Sequence, residues 1–483
     1  MNFDVSFWVA VILFVAYVVL LLGEVSRLVL DNRNPVRTLA WIVVLVMLPF
    51  IGIVLFYWLG VNYRKRKMFS VKGLGDLRWL QFISEDQQEL LKKHKILEGE
   101  GFASARKLMT LLLNNNKALL TTHNKIEVYN SGDVSFEAIF KAIASARNFI
   151  HLEFYIVEDG ELSGRLLALL RAKLREGVEV RFIYDDFGSW RLSDNFINEL
   201  RADGAEIFPF LPLRVHRKKA NYRNHRKIVV VDGVVAFMGG VNVADRYVKG
   251  SVIGRWRDTL IRVQGEAVTA LQIIFLVDWY FVSKQALLDR DYYMPVADSC
   301  GESMAQVVAS GPDSDWDSIR QAYVAMVNMA ERYVYISTPY FVPGDVMLNA
   351  LKSAAMSGVD TRIMLPAKSD SFLTYWCSCS FIEELLQAGV RIFFFKPGIN
   401  HSKVVSVDGK IAAVGSANVD LRSLEQNFEV SMIIYDSCVV EVVESDYVDD
   451  LMLCSEVTLD EWRVRPRLNQ IKESVSRLFS PIL

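Results

Sequence analysis

The chain has 483 residues, of which 52% are hydrophobic, and its formal net charge is −2. A chain of this length exceeds one compact core, so we expect two or three folding units. The small net charge excludes a global attraction to nucleic acid, so phosphate binding must depend on local basic residues. The high hydrophobic share is unusual for a soluble enzyme and indicates a membrane part.

Two apolar stretches lie within the first sixty residues, at 5–23 and 38–60. The first is about 28 Å long as a helix, which is roughly the thickness of a hydrocarbon core. Trp41, Tyr57 and Trp58 lie near the ends of the second, where interfacial aromatic residues are usual. A signal peptide is the alternative for the first stretch, but no basic region precedes it. We predict a two-helix transmembrane hairpin as a membrane anchor over residues 1–67.

Orientation follows from the basic residues beside the second stretch. The cluster at 64–67 holds four consecutive Arg and Lys residues, which outweigh the dispersed arginines of the connecting loop. This predicts that both chain ends and the catalytic bulk are cytoplasmic. The odd number of cysteines, without any C-x-x-C pair, also favours a reducing compartment over a disulfide framework or a zinc site. They are Cys300, Cys377, Cys379, Cys438 and Cys454.

Residues 68–120 are charged and helix-like, and we interpret them as a connector. Beyond them the chain repeats itself, with a first copy at 121–300 and a second at 301–483. In each copy strand-like runs alternate with helical patterns, which predicts an α/β sandwich present twice. The matching strand-like runs are 148–157 with 333–342, 177–183 with 358–364, and 204–210 with 389–395.

A motif of the form H-x-K-x4-D-x6-G-[GS]-x-N occurs once in each copy, in segments 220–247 and 396–423, with 176 residues between the histidines. Its two apolar runs around Asp-Gly predict a β-hairpin, and His and Lys two residues apart share one strand face. The glycines permit a close backbone approach, and the Asn supplies amide donors. The members are His225, Lys227, Asp232, Gly240 and Asn242, and His401, Lys403, Asp408, Ser416 and Asn418.

Two alternatives remain open for this motif. Asp232 and Asp408 stand where a tight turn prefers Asp, so a structural role competes with a catalytic one. Histidine pairs also bind metals, but the flanking lysines argue against this, because cations repel a metal ion and attract phosphate.

The two motifs resemble the HKD signature of the phospholipase D superfamily, over about residues 120–440. The resemblance implies two facing repeats that form one active site without a metal or other cofactor. One histidine would attack phosphorus and the other would protonate the leaving alcohol; we predict His225 and His401 for these roles. The lysines and the asparagines Asn242 and Asn418 would hold the phosphate oxygens.

The resemblance further implies an acidic residue after each motif, bonded to the histidine of that motif. Asp258 and Glu429 lie 33 and 28 residues after their histidines and are the candidates, with ordinary surface carboxylates as the alternative. The first motif has Gly240 where the second has Ser416, which makes the halves non-equivalent. We count Ser416 among the supporting residues.

The second apolar stretch and the segments 150–160 and 337–344 resemble bacterial cardiolipin synthases. This implies a multi-pass protein of the bacterial inner membrane. It would transfer a phosphatidyl group between two phosphatidylglycerol molecules and release glycerol. Its partners would be membrane phospholipids rather than nucleic acid, and the sequence leaves the oligomeric state open. A membrane-bound hydrolytic phospholipase D is the main alternative, ahead of a nuclease or a scaffold.

The last residues form an amphipathic tail in which apolar side chains recur at helical spacing among basic ones. This pattern fits a membrane-surface helix or a helix packed on the catalytic core. The apolar members are Leu468, Ile471, Val475, Leu478 and Phe479.

Overall fold

The computed structural model describes residues 5–31, 35–56, 103–212, 222–287, 289–295 and 300–480. The basic cluster at 64–67 and most of the predicted connector lie outside these described residues.

The N-terminal part contains three helices, α1 (Val5–Asp31), α2 (Pro35–Met47) and α3 (Ile51–Leu55). In the described part of the chain, one helix, over Phe7–Leu30, is long and apolar enough to cross a membrane. The second predicted span is described only as far as residue 56, and there it is broken, because Pro49 cannot continue a helix and Phe50 adopts a φ of 64°. The predicted hairpin of two spanning helices is therefore not confirmed.

The remaining helices alternate with strands along the chain. They are α4 (Ala103–Asn116), α5 (Gly132–Ala144), α6 (Glu161–Arg175), α7 (Asp194–Ala202), α8 (Arg246–Lys249), α9 (Ala267–Ser283), α10 (Arg290–Tyr293), α11 (Ser318–Met329), α12 (Gly344–Met356), α13 (Phe372–Cys379), α14 (Ile382–Gln387), α15 (Leu421–Glu425), α16 (Ser437–Leu451), α17 (Leu459–Arg463) and α18 (Arg467–Arg477).

The strands divide between the two copies, with β1 to β7 in the first and β8 to β18 in the second. They are β1 (Leu120–Ser131), β2 (Phe149–Phe154), β3 (Glu179–Asp185), β4 (Glu206–Phe210), β5 (Ile228–Val231), β6 (Val235–Gly239), β7 (Arg255–Gly265), β8 (Ser303–Ser310), β9 (Tyr333–Ser337), β10 (Phe341–Val342), β11 (Asp360–Pro366), β12 (Arg391–Phe395), β13 (Gly398–Asn400), β14 (Val404–Val407), β15 (Ile411–Gly415), β16 (Val419–Asp420), β17 (Glu429–Ile434) and β18 (Cys454–Val457).

One mixed sheet runs through both copies in the order β18-β12-β11-β9-β14-β15-β17-β8-β1-β7-β6-β5-β2-β3-β4. Each copy has three parallel strands toward its outer side and antiparallel strands at its inner side, and in the second copy β18 adds an antiparallel strand at the outer edge. The antiparallel pair β1 and β8 joins the two copies. The duplicated α/β architecture predicted from the sequence is confirmed.

The hydrophobic core follows the same plan. One cluster of buried side chains fills each copy, and a third lies on the inner strands and joins them. Helices α9 and α16, which follow β7 and β17, contribute Leu271 and Val440 to the third cluster. The two copies thus share buried apolar surface, which fixes one copy against the other.

Strand pairing corrects the repeat alignment by one residue. Leu152 pairs with Val229, and Ile336 pairs with Val405, the counterpart of Val229. Leu152 therefore corresponds to Ile336, whereas the sequence alignment placed it opposite Ser337. Alignment on the repeated tyrosines had hidden this shift.

The amphipathic tail forms α18, and its polar side faces the second copy. Glu473 is buried and accepts hydrogen bonds from Arg465, and Arg477 donates to Glu384. The apolar side chains Leu468 and Ile471 are exposed instead, by 70% and 57%. The helix therefore packs on the core through its polar residues.

Candidate active site

Each HKD segment forms the predicted hairpin, with a turn at Asp-Gly. Asp232 and Gly233 have φ values of 53° and 67°, and Asp408 and Gly409 have 57° and 71°. Positive φ at both central positions defines the type I′ turn, which favours these residues. The hairpins β5–β6 and β14–β15 thus follow directly from the sequence.

The turn aspartates lie at the end of the hairpin away from the histidines, seven residues or roughly 23 Å along an extended strand. The Asp232 carboxylate accepts three backbone N–H groups at 2.8–2.9 Å, those of residues 147–149. The Asp408 carboxylate accepts those of residues 331–333, each at 2.8 Å. Both carboxylates are occupied in tying the turn to the neighbouring strand. The sequence placed Asp232 and Asp408 among the catalytic candidates. Their contacts correct this, because they give both aspartates a structural role.

The opposite ends of the hairpins bring the two copies together. The backbone N–H of His225 donates to the carbonyl of Phe428 in the second copy at 2.9 Å. The N–H of His401 donates to the carbonyl of Arg257 in the first copy at 2.6 Å. Each histidine is therefore held by the backbone of the other copy.

The histidine–carboxylate pairs are exchanged between the copies. Nδ1 of His225 lies 3.0 Å from the carboxylate of Glu429, and Nδ1 of His401 lies 2.7 Å from that of Asp258. The sequence placed each acidic residue with the histidine of its own motif, so this expectation is corrected. The reason is strand order: β13, which leads to His401, pairs with the start of β7, where Asp258 lies.

Burial governs the charge of both pairs. It lowers the pKa of His225 to about 4 although Glu429 opposes the shift. Burial and the Lys403 charge lower the pKa of His401 to about 4 against the influence of Asp258. Burial alone would raise the pKa of both carboxyls, but the facing imidazoles and lysines outweigh it and lower both. Each pair thus holds a neutral imidazole with a carboxylate beside Nδ1, an arrangement that favours the hydrogen on Nδ1 and leaves the Nε2 lone pair for chemistry. Nζ of Lys403 also lies 2.7 Å from Nδ1 of His401.

The motif lysines, Lys227 and Lys403, are buried next to the histidines. Nζ of Lys227 donates to the carbonyl of His225 at 2.5 Å, and Nζ of Lys403 donates to the carbonyl of His401. Burial lowers the pKa of Lys227 to about 7, and it also lowers the pKa of Lys403. A buried ammonium at this position favours an anionic phosphate as its partner.

The motif asparagines differ in their contacts. The side-chain oxygen of Asn242 accepts the N–H of Ile156 at 3.0 Å, and its amide donates to the Tyr247 hydroxyl at 2.7 Å. The side-chain oxygen of Asn418 is buried without a hydrogen-bond partner among the described residues. Asn242 therefore positions a loop of the site, whereas the Asn418 oxygen keeps its acceptor capacity.

The difference between Gly240 and Ser416 now has a structural reason. Ser416 Oγ donates to the Glu429 carboxylate at 2.5 Å. A Cβ at residue 240 would approach Asp258 Oδ1 to 2.0 Å, so the first copy has room only for glycine. The carboxylate facing His225 thus accepts a hydroxyl hydrogen bond that the carboxylate facing His401 does not receive from residue 240.

Several residues of the site were not selected from the sequence. The Tyr155 ring centroid lies 4.8 Å from that of His225, and Trp256 and Tyr247 lie 5.4 Å and 5.8 Å from His401. Tyr340 stands 6.3 Å from His401. The sequence did contain a signal for two of these residues, because a tyrosine recurs at positions 155 and 340 of the two copies. An aromatic residue that recurs at the end of a repeated strand indicates the edge where the histidines lie.

Buried arginines lock the site across the copies. Arg226 Nε donates to the Glu429 carbonyl at 3.2 Å, and its guanidinium pairs with Asp278. Arg257 Nε lies 2.6 Å from Asp450, and its NH1 group donates to Ser402 Oγ at 2.5 Å. Both arginines are adjacent to a site residue in the sequence, yet the partners named above are 52 or more residues away. Sequence patterns could not predict those partners, because the residues are far apart along the chain.

Comparison with known proteins agrees with this fold. A family described as "Cardiolipin synthase, PLD-like domain" matches residues 139–279 and 323–450. The crystal structure of phosphatidylserine synthase from Haemophilus influenzae Rd KW20 superposes with a TM-score of 0.59 at 14% identity, and covers 78% of this chain and 98% of its own. The fold and site therefore define a phospholipase D-like protein with two copies of the domain.

Two sequence relatives narrow the class. A protein named cardiolipin synthase in Geobacillus sp. (strain WCH70) is 39% identical over 458 residues, covering 94% of this chain and 90% of the relative. A protein named cardiolipin synthase 2 in Bacillus anthracis is 40% identical over 463 residues, covering 94% and 88%. The chain belongs to the cardiolipin synthase family.

Proposed function

We propose that this protein is a cardiolipin synthase, a phosphatidyltransferase that joins two phosphatidylglycerol molecules and releases glycerol. One observation carries the proposal. In this member of the cardiolipin synthase family, each of two buried histidines faces a carboxylate from the other copy of the domain. Each histidine has its Nδ1 bonded and its Nε2 free to act on one phosphodiester held between them.

The reaction proceeds in two balanced displacements. In the first, Nε2 of His225 attacks phosphorus, the bond to the head-group glycerol breaks, and His401 gives that glycerol a proton. In the second, His401 takes the proton of the acceptor's primary hydroxyl, whose oxygen displaces His225 from phosphorus. Both steps exchange one phosphoryl bond for another, so the sequence needs no nucleotide.

Protonation of His401 depends on the substrate. Burial, the largest cause, and Lys403 hold the pKa of His401 near 4 in the free protein. An anionic phosphodiester between Lys227 and Lys403 offsets the lysine charge, which raises the pKa of His401 and lets it act as the acid. The same lysines hold the non-bridging oxygens as charge develops on them, and the side-chain NH2 of Asn418, rather than its oxygen, is the donor that joins them.

The surroundings favour transfer over hydrolysis. His225 and His401 are only 8% and 6% exposed, so bulk water has little access to the intermediate. A protein held at a bilayer also meets acceptor lipid at high local concentration. A hydrolytic phospholipase D would share the histidine pairs, and the product distinguishes the two functions.

We extend the proposal to the membrane part. α1 crosses the bacterial inner membrane, and α2 with α3 returns as a second, broken span, since Pro-broken helices are tolerated where neighbouring groups satisfy the backbone. The Tyr17 hydroxyl donates to the Leu45 carbonyl at 2.7 Å, which holds the helices together. The basic cluster at 64–67 keeps both copies on the cytoplasmic side, where phosphatidylglycerol and other phospholipids are the partners.

The experiment supplies purified full-length protein in vesicles with phosphatidylglycerol alone, a chelator, and no cytidine nucleotide. We expect cardiolipin and glycerol in equal amounts, and added glycerol should drive the reaction backwards. Phosphatidic acid as the sole product would assign the hydrolase function instead. An absolute requirement for a cytidine-activated lipid would contradict the mechanism.

A further inference from the structure

The C-terminal helix α18 exposes a continuous apolar stripe. Leu468, Ile471, Val475 and Leu478 are 70%, 57%, 50% and 78% exposed, and we call them the C-terminal apolar face. Their spacing of three and four residues places them on one side of the helix. A soluble surface rarely leaves such a stripe uncovered, because its exposure to water is unfavourable.

The polar side of the same helix is fixed to the second copy. Glu473 is 3% exposed and lies 2.8 Å from the guanidinium of Arg465, which also lies 3.1 Å from Glu383. Arg477 lies 2.7 Å from Glu384 on α14. These contacts hold α18 in one orientation. The apolar stripe faces outward because the opposite, polar side of the helix is bound to the second copy.

A chain of contacts connects α18 with the active site. Lys472 Nζ lies 4.7 Å from the ring centroid of Trp376, and that ring is 6.2 Å from the ring of Phe372, which is 67% exposed. Phe372 begins α13, two residues after Asp370, which accepts the Tyr340 hydroxyl at 2.6 Å. Tyr340 stands beside His401. Phe372 is therefore an exposed apolar side chain on the route of contacts from α18 to Tyr340.

Charge indicates what covers the stripe. Arg467 and Lys472 are exposed on α18, and neither forms an ion pair with a described residue. Cations beside an apolar face suit the head-group and acyl-chain boundary of an anionic leaflet. A protein partner would not require this combination, and the substrate lipid is itself anionic.

We propose that the C-terminal apolar face inserts into the anionic leaflet that supplies the substrate, and holds the active-site edge at the lipid surface. This inference rests on the proposed function for the identity of the lipid. α18 is then a second membrane contact, separate from the N-terminal helices. It sets the distance between the lipid surface and the histidines that a phosphatidylglycerol head group must reach.

A direct test places a fluorescent label on the full-length protein at Ile471→Cys, after the exposed Cys300 and Cys438 are changed to Ser. The matched control is Met356→Cys, which is 69% exposed but lies at the far end of α12 from the site. In vesicles with brominated phosphatidylglycerol, the label at 471 should be quenched and the label at 356 should not. Absence of quenching at 471, as expected if another segment or protein covers the face, would overturn the proposal.

A kinetic test uses the triple variant Leu468→Ser, Ile471→Ser and Val475→Ser, whose exposed positions leave the core unchanged. Cardiolipin formation from long-chain phosphatidylglycerol in vesicles should fall about tenfold. Formation from monomeric short-chain phosphatidylglycerol should stay within twofold. An equal loss with both lipids would assign α18 a structural role and reject the inference. If the proposed function fails, the unmodified protein makes no cardiolipin from either lipid, while the quenching result stands independently.

Discussion

The first and second copies share a framework but differ in charge at equivalent places. Both hairpins close with the same Asp-Gly turn, and both histidines lie three residues before a hairpin strand and donate a backbone hydrogen bond to the other copy. In the first copy Arg246 pairs with Glu158 at 2.6 Å. Val157 bridges to Val243 and Phe341 to Val419, so Val342 replaces Glu158 in the second copy. Duplication thus preserved the scaffold while the flanks of the site diverged.

The histidine–carboxylate pairs make the two copies depend on each other. Each copy supplies one histidine and the carboxylate that orients the histidine of the other copy. Neither copy can therefore assemble a complete pair by itself. The copies also differ in hydrogen bonding to those carboxylates, because Ser416 donates to Glu429 while Gly240 leaves Asp258 without such a donor. Two histidines in unequal surroundings are suited to unequal roles.

The largest expected effect comes from removing either histidine. His225→Ala and His401→Ala should each lower cardiolipin formation at least ~10³-fold, because one loses the nucleophile and the other the proton donor. The matched control is His123→Ala, since His123 is exposed and pairs only with Glu266 among the described carboxylates. Turnover is measured from phosphatidylglycerol in vesicles. Retention of a tenth of the activity in either variant would show that one copy suffices.

Next in size is the loss of an orienting carboxylate. Glu429→Gln and Asp258→Asn should each lower turnover about 10²-fold, since the facing imidazole loses its fixed tautomer. The exchange itself is tested by mapping the rate of diethylpyrocarbonate modification at each histidine. In Glu429→Gln the rate at His225 should change while the rate at His401 does not. The opposite pattern would restore the pairing within each motif.

The pH dependence distinguishes the lysines of the two copies. Burial lowers the pKa of Lys227 to about 7, so its charge is present below that pH and is lost as the pH rises through it. kcat/KM should therefore show an added decline above about pH 7, beyond the one that titration of His401 causes, and Lys227→Arg should remove this alkaline limb because a guanidinium stays charged. An acid limb from the pKa of His225, lowered by burial to about 4, should persist. If Lys403→Arg alone removes the alkaline limb, the decline belongs to the second copy.

The smallest effect concerns the glycine and serine that differ between the motifs. Ser416→Ala removes one hydrogen bond to Glu429 and should lower turnover only about three- to tenfold, a loss of roughly 1 kcal/mol. Gly240→Ala adds a Cβ at 2.0 Å from Asp258 Oδ1 and should cost more. Turnover of both variants is compared at one temperature, with circular dichroism as a control for folding. A smaller effect from Gly240→Ala would contradict the steric account of the asymmetry.

The sequence could predict the parts that depend on local pattern. The hairpins, their turns and the duplicated α/β fold follow from periodicity and from Asp-Gly. The partners of the histidines could not be predicted, because His225 and Glu429 are 204 residues apart and meet only through strand order. The turn position of Asp232 was available in the pattern, since a seven-residue separation on a hairpin excludes contact with His225. The outward direction of the tail depends on ion pairs, such as Arg477 with Glu384, that no periodicity reveals.

The central claim is that two copies form one site with a covalent histidine intermediate, and trapping that intermediate tests it most directly. The His401→Ala protein is mixed with phosphatidylglycerol, denatured under alkaline conditions, and digested for mass spectrometry. The account predicts a phosphatidyl group on His225, formed as glycerol leaves and absent from His225→Ala. A phosphatidyl group on His401 in the His225→Ala protein would reverse the roles of the copies. No adduct in the unmodified protein or in either variant would contradict the mechanism.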